Sequence, residues 1–421
     1  MKILFLSIGM PNLATTQGGL YSDMLRELAK HNHQVTVIAP SIEDAPDGLH
    51  EEGEIRVLRI PLGQFRGNIP FYKKGFRILN MSRKYKGAYK KYFRDERFDV
   101  LLMATPPVTL VDVAEVVKKY SGAKMYLILR DIHPQCMDRK IVPQEILDRT
   151  DVYDECKKPY RVNFFVEKFL YHKAQQLYKI SDFVGCMSPQ NQSYFKTIAP
   201  YVDDSRILLL PNWYRETEPT EGKNLEVLKK YHLEGKYIAV FGGTIGPAQA
   251  IWNIASLAKH NLDKKDVVFL VVGRGWKKAT LEKIAKQDGL TNMVFMEFMP
   301  KSDYETLLEN VDVGLVSIDE KYPVPTCPSK IIGYMALKKP VVAMFNAGND
   351  YGEFYIDKPG CGLWSVGLDN EKMFANFDWL YSHPEKRKAM GEAGYNYFKT
   401  HLTAKAVCDM LCEQLETIKL L

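Results

Sequence analysis

A buried β-strand and its turn are indicated by the stretch Tyr237-Ile-Ala-Val-Phe-Gly-Gly-Thr-Ile-Gly246, in which an apolar run ends in clustered glycines. An amphipathic segment follows at Ala248–Lys259, and a second apolar run at Val267–Val272. The first part of the chain repeats the pattern, with strand-like runs at Lys2–Ser7 and Gln34–Ala39 on either side of a helical spacing. Alternating strands and helices predict an α/β fold with parallel sheets covered on both faces.

The length predicts more than one domain, since 421 residues exceed the usual ~100–200 residues of a single domain. The polar stretch from Arg215 to Lys223 has the composition of a linker. We therefore expect a Rossmann-like N-terminal domain over residues 1–205 and a Rossmann-like C-terminal domain over 206–395. A last helix within 396–421 is expected to pack back toward the N-terminal domain.

Composition excludes several classes of protein. The chain is 46% hydrophobic and 26% charged, which is ordinary for a folded protein. Its apolar runs fall far short of the ~18 residues of a membrane span. The seven cysteines are scattered, and Cys408 and Cys412 have no His or Cys near them in the sequence. This pattern indicates reduced thiols in a cytoplasmic protein, without a disulfide framework or a zinc site.

Positive charge is concentrated in one segment, Phe65–Arg94, which holds ten Lys and Arg residues and no Asp or Glu. The net charge of the chain is +6, so the remaining residues carry −4. Aromatic and apolar residues recur at helical spacing within the segment, which favours a membrane-binding surface formed by Arg83, Lys84, Lys86, Lys90, Lys91 and Arg94. Two alternatives remain: a nucleic-acid surface, which lacks an accompanying reader motif, and a solvated face over buried tyrosines.

Glycines precede two helices in positions that suit anions. Gly18-Gly19 opens the first predicted helix, where free N–H groups and the helix dipole attract negative charge. The loop lacks the Gly-x-Gly-x-x-Gly pattern of nicotinamide enzymes. The turn Gly242–Gly246 has the same placement without a Walker lysine. For each of these two turns, phosphate binding and a plain tight turn both remain open as interpretations.

Charged residues follow two further elements. In Pro325–Ile331, Ser329 is placed to cap a helix and Lys330 to occupy its first turn, where a lysine is unfavourable unless an anion such as a diphosphate lies beside it. The alternative is an exposed, screened lysine. Arg130-Asp131-Ile132-His133-Pro134 follows the Met125–Leu129 strand, so its side chains are expected in a cleft. The alternative is a structural Arg–Asp pair beside an exposed His133.

Together these segments resemble the bacterial glycosyltransferases of family 4, which have the two-Rossmann GT-B fold and build capsule, O-antigen and exopolysaccharide. The similarity covers essentially the whole chain. It is carried by Arg130–Gln135, the Pro-Asn turn Leu210–Trp213, the turn Gly242–Gln249 and, most specifically, Pro328–Ala343.

The resemblance implies retaining transfer of a sugar, without a metal or other cofactor, from a nucleotide-diphosphate sugar, most often a UDP-sugar. The acceptor would be a polyprenyl-diphosphate-linked or other glycan, and the enzyme would lie on the cytoplasmic face of the cell membrane. Catalytic roles fall to Arg130, Asp131, His133 and Lys330. Donor binding falls to Gly243, Thr244, Gly246, Gln249, Gly273, Arg274, Phe298, Met299, Thr326, Ser329 and Lys330, and Gly18 and Gly19 are acceptor-side positions.

The sequence departs from the family pattern at two positions. Pro325 and Gly333 stand where the family carries glutamates that contact the sugar and the ribose. Gly333 keeps open the alternative of a catalytically silent GT-B subunit that supports an active partner. A sugar-nucleotide epimerase, which shares the fold, is a second alternative.

Overall fold

The computed structural model describes residues 1–15, 18–62, 71–137, 144–148, 157–159, 163–220, 222–246, 248–326 and 328–420. For helical residues 71–79, 145–146 and 419–420, only the backbone is described. The chain divides into two compact units. The first unit comprises Met1–Met137, Val162–Arg215 and Thr403–Leu421, and the second comprises Asp138–Arg161 and Glu216–Leu402.

The first unit is built on one twisted sheet with strand order β3-β4-β2-β1-β5-β6-β7-β8, in which every neighbouring pair is parallel except β3 and β4. Its strands are β1 (Lys2–Leu6), β2 (Gln34–Pro40), β3 (Gly48–Glu52), β4 (Ile55–Ile60), β5 (Val100–Ala104), β6 (Lys124–Leu129), β7 (Phe183–Cys186) and β8 (Ile207–Leu209). The central strands are almost wholly apolar and buried, as a sheet covered on both faces requires.

Helices cover both faces of that sheet. They are α1 (Leu20–Lys30), α2 (Phe71–Tyr92), α3 (Val111–Ser121), α5 (Phe164–Ile180), α6 (Pro189–Ile198) and the C-terminal α14 (Ala404–Leu420). Side chains cap several of these helices: Asn163 accepts from two N–H groups of α5, and Ser188 accepts from one of α6. Leu411 and Leu415 of α14 share a buried core with Leu25 and Leu28 of α1.

The second unit contains an all-parallel sheet with strand order β11-β10-β9-β12-β13-β14. Its strands are β9 (Tyr237–Thr244), β10 (Val267–Arg274), β11 (Met293–Met296), β12 (Val313–Ser317), β13 (Val341–Phe345) and β14 (Gly362–Val366). Its helices are α4 (Gln144–Leu147), α7 (Leu225–Lys230), α8 (Ile251–His260), α9 (Lys278–Gln287), α10 (Lys301–Leu308), α11 (Lys330–Ala336), α12 (Asn370–Ser382) and α13 (Pro384–His401).

The predicted α/β class, with two parallel-sheet domains, is confirmed. In each unit the loops after the strands meet at the carboxyl edge of the sheet, where ligands bind in open parallel sheets. None of the helices that the structure describes is both long and apolar enough to span a lipid bilayer.

Candidate active site

Lys330 is the first residue of α11, and its side chain turns inward. The ammonium nitrogen is buried, lies 4.0 Å from the centroid of the Phe241 ring, and has no hydrogen-bond partner within the described part of the chain. Burial lowers the pKa of Lys330 to about 7. The alternative of an exposed, screened lysine is therefore wrong. A buried amine without a partner is costly, and an anionic oxygen beside it would supply the missing interaction.

The glycine-rich turn after β9 is held by its own side chains. Gly243 has a positive φ of 101°, which favours glycine. The Gly246 N–H donates to Oε1 of Gln249 at 2.8 Å, so Gln249 fastens the turn. Thr244 ends β9 with its side chain exposed. Pro247, part of the same motif, lies outside the described residues.

Gly273 explains why β9 and β10 approach so closely at this edge. It pairs with Gly243 in the parallel ladder, and a Cβ atom on Gly273 would lie 2.0 Å from the Gly243 carbonyl oxygen. Any side chain here would push the two strand ends apart. The glycine therefore has a packing reason as well as the predicted ligand-binding role.

Four predicted donor-binding residues meet in one pocket of about 170 Å³. Gly243, Gly273, Phe298 and Met299 line it, together with three residues that sequence reasoning missed: Val272, Lys301 and Tyr304. The Phe298 ring is 59% exposed, and the Arg274 guanidinium carbon lies 4.5 Å from its centroid. An open aromatic face, glycine backbone and nearby cations together suit a planar, anionic ligand such as a nucleotide.

The sequence did not predict Tyr304 as a pocket residue, because the placement of its ring depends on another glycine. A Cβ atom on Gly242 would lie 1.6 Å from the Tyr304 hydroxyl oxygen, so the ring occupies the space above that glycine. In the sequence, the only available signal was the pair Gly242-Gly243, which indicates a close approach but not its partner.

The loop before α11 differs in one respect from expectation. Ser329 stands at the N-cap position, but its side chain caps no N–H of the helix, so the predicted cap is wrong. Ser329 is exposed, Thr326 is half-buried, and Cys327 lies outside the described residues. Gly333 is buried within α11, which leaves no side chain where the family places a glutamate.

Glu320 is a half-buried carboxyl in the loop that follows β12. Its Oε2 atom accepts from the Ala347 N–H at 3.1 Å, and the Gly367 N–H is a second backbone donor to the carboxyl. Burial raises the pKa of Glu320, an effect that the two backbone donors, Ala347 and Gly367, only partly offset. Because Ala347 follows β13, the Glu320 carboxyl also belongs to the carboxyl edge of this sheet.

In the first unit, Arg130 directly follows β6 and connects two of the motifs. Its Nε atom donates to Oδ1 of Asn212 at 2.9 Å, and its guanidinium carbon lies 5.9 Å from the Tyr21 ring centroid. Asn212 is buried and belongs to the predicted Pro-Asn turn. The structure thus brings Arg130–Gln135 and Leu210–Trp213 together at one strand end.

Asp131 and His133 lie at the same strand end in contrasting environments. The Asp131 side chain reaches solvent, but surrounding protein desolvates its carboxyl and raises its pKa, and Arg130 only partly offsets this. His133 is half-buried, its Nδ1 atom lacks a hydrogen-bond partner among the described residues, and burial lowers its pKa to about 4. The alternative of an exposed His133 is wrong, and the imidazole is neutral at pH 7.

Gly18 and Gly19 precede α1 as expected, but their surroundings favour a local role. Gly18 has a positive φ of 76°. The Gly19 N–H donates to Oδ2 of Asp23 at 2.9 Å, and a Cβ atom on Gly19 would lie 2.5 Å from the Ser22 hydroxyl oxygen. A carboxylate of the same helix therefore already occupies this N–H donor.

The basic segment forms α2 and the turn beyond it. Tyr85 and Tyr89 are buried, whereas Tyr92 is 39% exposed, and Phe93 continues the buried stripe in its place. The six selected cations are exposed, apart from a half-buried Lys86; they are Arg83, Lys84, Lys86, Lys90, Lys91 and Arg94. Residues 65–70 lie outside the described residues, and so do the side chains of residues 71–79.

Comparisons with known proteins agree with the α/β fold described above. Residues 226–397 match the family model of glycosyl transferases group 1. The chain is 25% identical over 272 residues to a probable glycosyltransferase of Pseudomonas aeruginosa, WbjE, a match that covers 64% of this chain and 62% of that relative, less than two thirds of its length. It is 24% identical over 379 residues to a putative colanic acid biosynthesis glycosyl transferase of Escherichia coli K12, WcaI, covering 86% of this chain and 88% of WcaI.

Solved structures share the fold over the whole chain. Sucrose-phosphate synthase from Thermosynechococcus elongatus aligns with a TM-score of 0.73 at 14% identity, covering 99% of this chain and 98% of that one. Anabaena Alr3699/HepE, solved with UDP and glucose, aligns with a TM-score of 0.66 at 13% identity, covering 99% and 100%. The fold is therefore that of the GT-B glycosyltransferases. The match over residues 226–397 and the two relatives support a glycosyltransferase.

Proposed function

We propose that the protein is a retaining glycosyltransferase that moves a sugar from a UDP-sugar to a lipid-linked or glycan acceptor. The observation that carries the proposal is the placement of Lys330 at the carboxyl edge of the second sheet. Its buried ammonium nitrogen has no hydrogen-bond partner in the described part of the chain. Nucleotide-sugar transfer develops negative charge on the departing diphosphate, and a positioned cation stabilises that charge. The HepE structure, which contains UDP and glucose, supports the choice of nucleotide.

Different donor-side residues would bind different parts of the nucleotide sugar. The pocket lined by Gly243, Gly273 and Phe298 would hold the nucleotide, with the exposed aromatic ring against the base. Lys330 and backbone N–H groups would meet the diphosphate. No metal is required in this proposal, because the lysine and N–H donors supply the positive charge.

The acceptor-side residues would act on the sugar and the attacking hydroxyl. Arg130 is held by Asn212, so its guanidinium is positioned before substrate binds. His133, which burial keeps neutral at pH 7, would accept or donate a hydrogen bond to the sugar or the attacking hydroxyl. Asp131 would act as a hydrogen-bond partner beside it, with a pKa that desolvation raises. In a front-face retaining reaction, the departing phosphate takes the acceptor proton, so no single general base is assigned.

The setting proposed is bacterial surface-polysaccharide assembly on the cytoplasmic face of the membrane. The similarity to WcaI, a putative colanic acid biosynthesis glycosyl transferase, supports this class of pathway. The exposed cations of α2 support attachment to anionic lipid, where the acceptor would be embedded.

Nucleotide binding tests the donor half directly. We expect UDP, or a UDP-sugar, to raise the melting temperature of the purified protein more than GDP compounds do, because a ligand that binds only the folded state stabilises it. Lys330→Met should remove most of this shift. Lys339→Met is the matched control, since Lys339 is another buried lysine of the same unit but lies before β13, at the amino edge of the sheet. Equal shifts in wild type and Lys330→Met would contradict the assignment.

A second candidate is a silent GT-B subunit, and Gly333 favours it. The buried glycine leaves the ribose without the acceptor that the family provides. Such a subunit would give no transfer product with any UDP- or GDP-sugar, whether or not it binds nucleotide. A transfer assay on the purified protein separates the two candidates.

A further inference from the structure

Two histidines near the start of the first unit lie close in space to two cysteines near the end of the chain. One ring nitrogen of His31 and the sulfurs of Cys408 and Cys412 all lie within 4.8 Å of one another. The Nε2 atom of His33 lies 3.5 Å from the Cys412 sulfur. These four side chains, here named the His–Cys cluster, offer two sulfur and two nitrogen donors.

The fold builds the cluster from two elements. Helix α1 ends at Lys30, and Asn32 takes a left-handed conformation with φ 60°, which turns the chain between the two histidines before β2 begins. On α14, Cys408 and Cys412 are one helical turn apart, so both sulfurs lie on the same face. The cluster therefore sits where α14 packs on α1.

We propose that the His–Cys cluster binds Zn²⁺. Two thiolates and two imidazoles are a standard zinc ligand set, and in a tetrahedral site with Zn–S near 2.3 Å and Zn–N near 2.0 Å the ligand atoms are about 3.3–3.8 Å apart. The 3.5 Å between the His33 nitrogen and the Cys412 sulfur already matches a nitrogen–sulfur edge. His31, Cys408 and Cys412 already lie within 4.8 Å of one another, so these three ligands need only a small contraction, and His33 is placed to join them through its contact with Cys412.

Charge balance also favours zinc at this place. Binding displaces one proton from each cysteine thiol, while each imidazole stays neutral and donates a lone pair. Two thiolates then neutralise the charge of Zn²⁺. A neutral complex suits the position of Cys408, which is fully buried, and of Cys412, which is 8% exposed.

A neighbouring carboxylate orients one of the histidines. Asp409 Oδ1 lies 2.8 Å from Nε2 of His31, and the other oxygen of Asp409 is paired with Lys405 at 2.7 Å. A carboxylate on one ring nitrogen is the common outer partner of a zinc-bound imidazole, since it fixes the ring and its tautomer. We assign the metal a structural role, because it would join α14 to α1 and no member of the cluster belongs to the candidate active site.

The test is the zinc content of the full-length protein. After purification from zinc-supplemented cells and dialysis against metal-free buffer, we expect about one zinc per chain. His31→Asn with His33→Asn, and separately Cys408→Ser with Cys412→Ser, should lose it. The matched control is Cys136→Ser, another buried thiol of the first unit outside α1 and α14, which should retain it. Cobalt-loaded wild type should show the absorption of tetrahedral thiolate-bound Co²⁺.

A second measurement keeps the proposal testable if the cysteine variants do not fold. Alkylation of wild-type protein in partly denaturing urea, where buried thiols become reactive, followed by peptide mass spectrometry, should show that zinc protects Cys408 and Cys412 but not Cys136. Zinc below about a tenth of an equivalent in wild type, zinc retained by both double variants, or equal alkylation with and without zinc would each overturn the proposal.

Discussion

The ammonium nitrogen of Lys330 lies 4.0 Å from the centroid of the Phe241 ring, and it is buried with no hydrogen-bond partner among the described residues. A cation–π contact favours the charged amine, while burial favours the neutral one. With a pKa of about 7, the lysine is near its titration midpoint at neutral pH. Its charge state therefore responds to whatever anion lies beside it.

The first prediction is that UDP binding takes up a proton. A bound diphosphate raises the pKa of Lys330, so at pH 8 the lysine passes from mostly neutral to mostly protonated on binding. UDP affinity should therefore fall as pH rises above 7, by up to about tenfold per pH unit. Isothermal titration at pH 8 in buffers of different ionisation enthalpy measures the proton directly.

Lys330→Met should bind UDP more weakly and without proton uptake. Lys339→Met, the variant at the other edge of the sheet, should keep both the affinity and the uptake. An unchanged proton count in Lys330→Met would assign the uptake to another group.

The second prediction concerns the close approach of β9 and β10. Gly273→Ala places a Cβ atom 2.0 Å from the Gly243 carbonyl oxygen, at a positive φ of 141°. We expect unfolding free energy to fall by about 2 kcal/mol or more, with loss of UDP binding, because strained positions of this kind cost roughly 1–3 kcal/mol each before the clash is counted. Denaturant unfolding and thermal shift with UDP measure the two effects.

Gly289→Ala separates backbone strain from the clash. Gly289 also has a positive φ, of 63°, but a Cβ atom there would meet nothing within 4 Å. That variant should lose about 1 kcal/mol and still bind UDP. Equal loss of binding in both variants would contradict a specific role for the Gly243–Gly273 contact.

The third prediction follows from the half-buried, desolvated imidazole of His133. Its pKa falls from 6.5 in the unfolded chain to about 4 in the folded one, so the unfolded state binds more protons between those values. This group alone should reduce stability by up to about 3 kcal/mol as pH falls from 6.5 to 4. His133→Asn should flatten that part of the stability profile, as measured by denaturant unfolding at each pH, whereas variation of the exposed His401 should leave it unchanged.

The fourth prediction concerns the cations of α2. Each lysine or arginine near an anionic membrane contributes about 1 kcal/mol, so replacing four should weaken binding to vesicles containing anionic lipid by roughly 100-fold or more at low salt. The quadruple variant combines Arg83→Gln, Lys86→Gln, Lys90→Gln and Lys91→Gln. Lys84 is kept, because its ammonium donates to the Pro61 carbonyl. Vesicle co-sedimentation and UDP thermal shift measure membrane and donor binding separately.

A charge-matched control removes four exposed lysines from the second unit, namely Lys265, Lys283, Lys286 and Lys386. That variant should sediment with vesicles as wild type does. If both quadruple variants lost the same affinity, or neither lost any, the α2 surface would be a solvated face over buried tyrosines.

Local pattern was enough to predict most of the sheet but not its edge. The apolar runs of β5, β9 and β13 are continuous, so these strands could be predicted from the sequence. The β3–β4 hairpin was missed because Arg59 of β4 and Glu52 of β3 look exposed. In the fold, the two side chains are buried and paired at 2.8 Å, with Arg59 also donating to the Met10 carbonyl.

The site was predictable where motifs follow strands and not where distant elements meet. Arg130 and Lys330 were found from their positions after a strand and before a helix. The contact of Arg130 with Asn212, the ring of Tyr304 over Gly242, and the inward turn of Lys330 all depend on packing between distant segments. The cysteines of α14 likewise lacked histidine partners in sequence until the fold supplied His31 and His33.

Nucleotide release from a panel of UDP- and GDP-sugars, with lipid-linked glycan acceptors, tests the central claim most directly. We predict that the wild-type protein releases UDP from at least one donor in an acceptor-dependent manner. Lys330→Met should lower that rate by about 100-fold or more, the scale of losing one group that stabilises developing charge, and Lys339→Met should preserve it. Turnover unchanged in Lys330→Met, or no release from any donor by the wild type, would contradict the account.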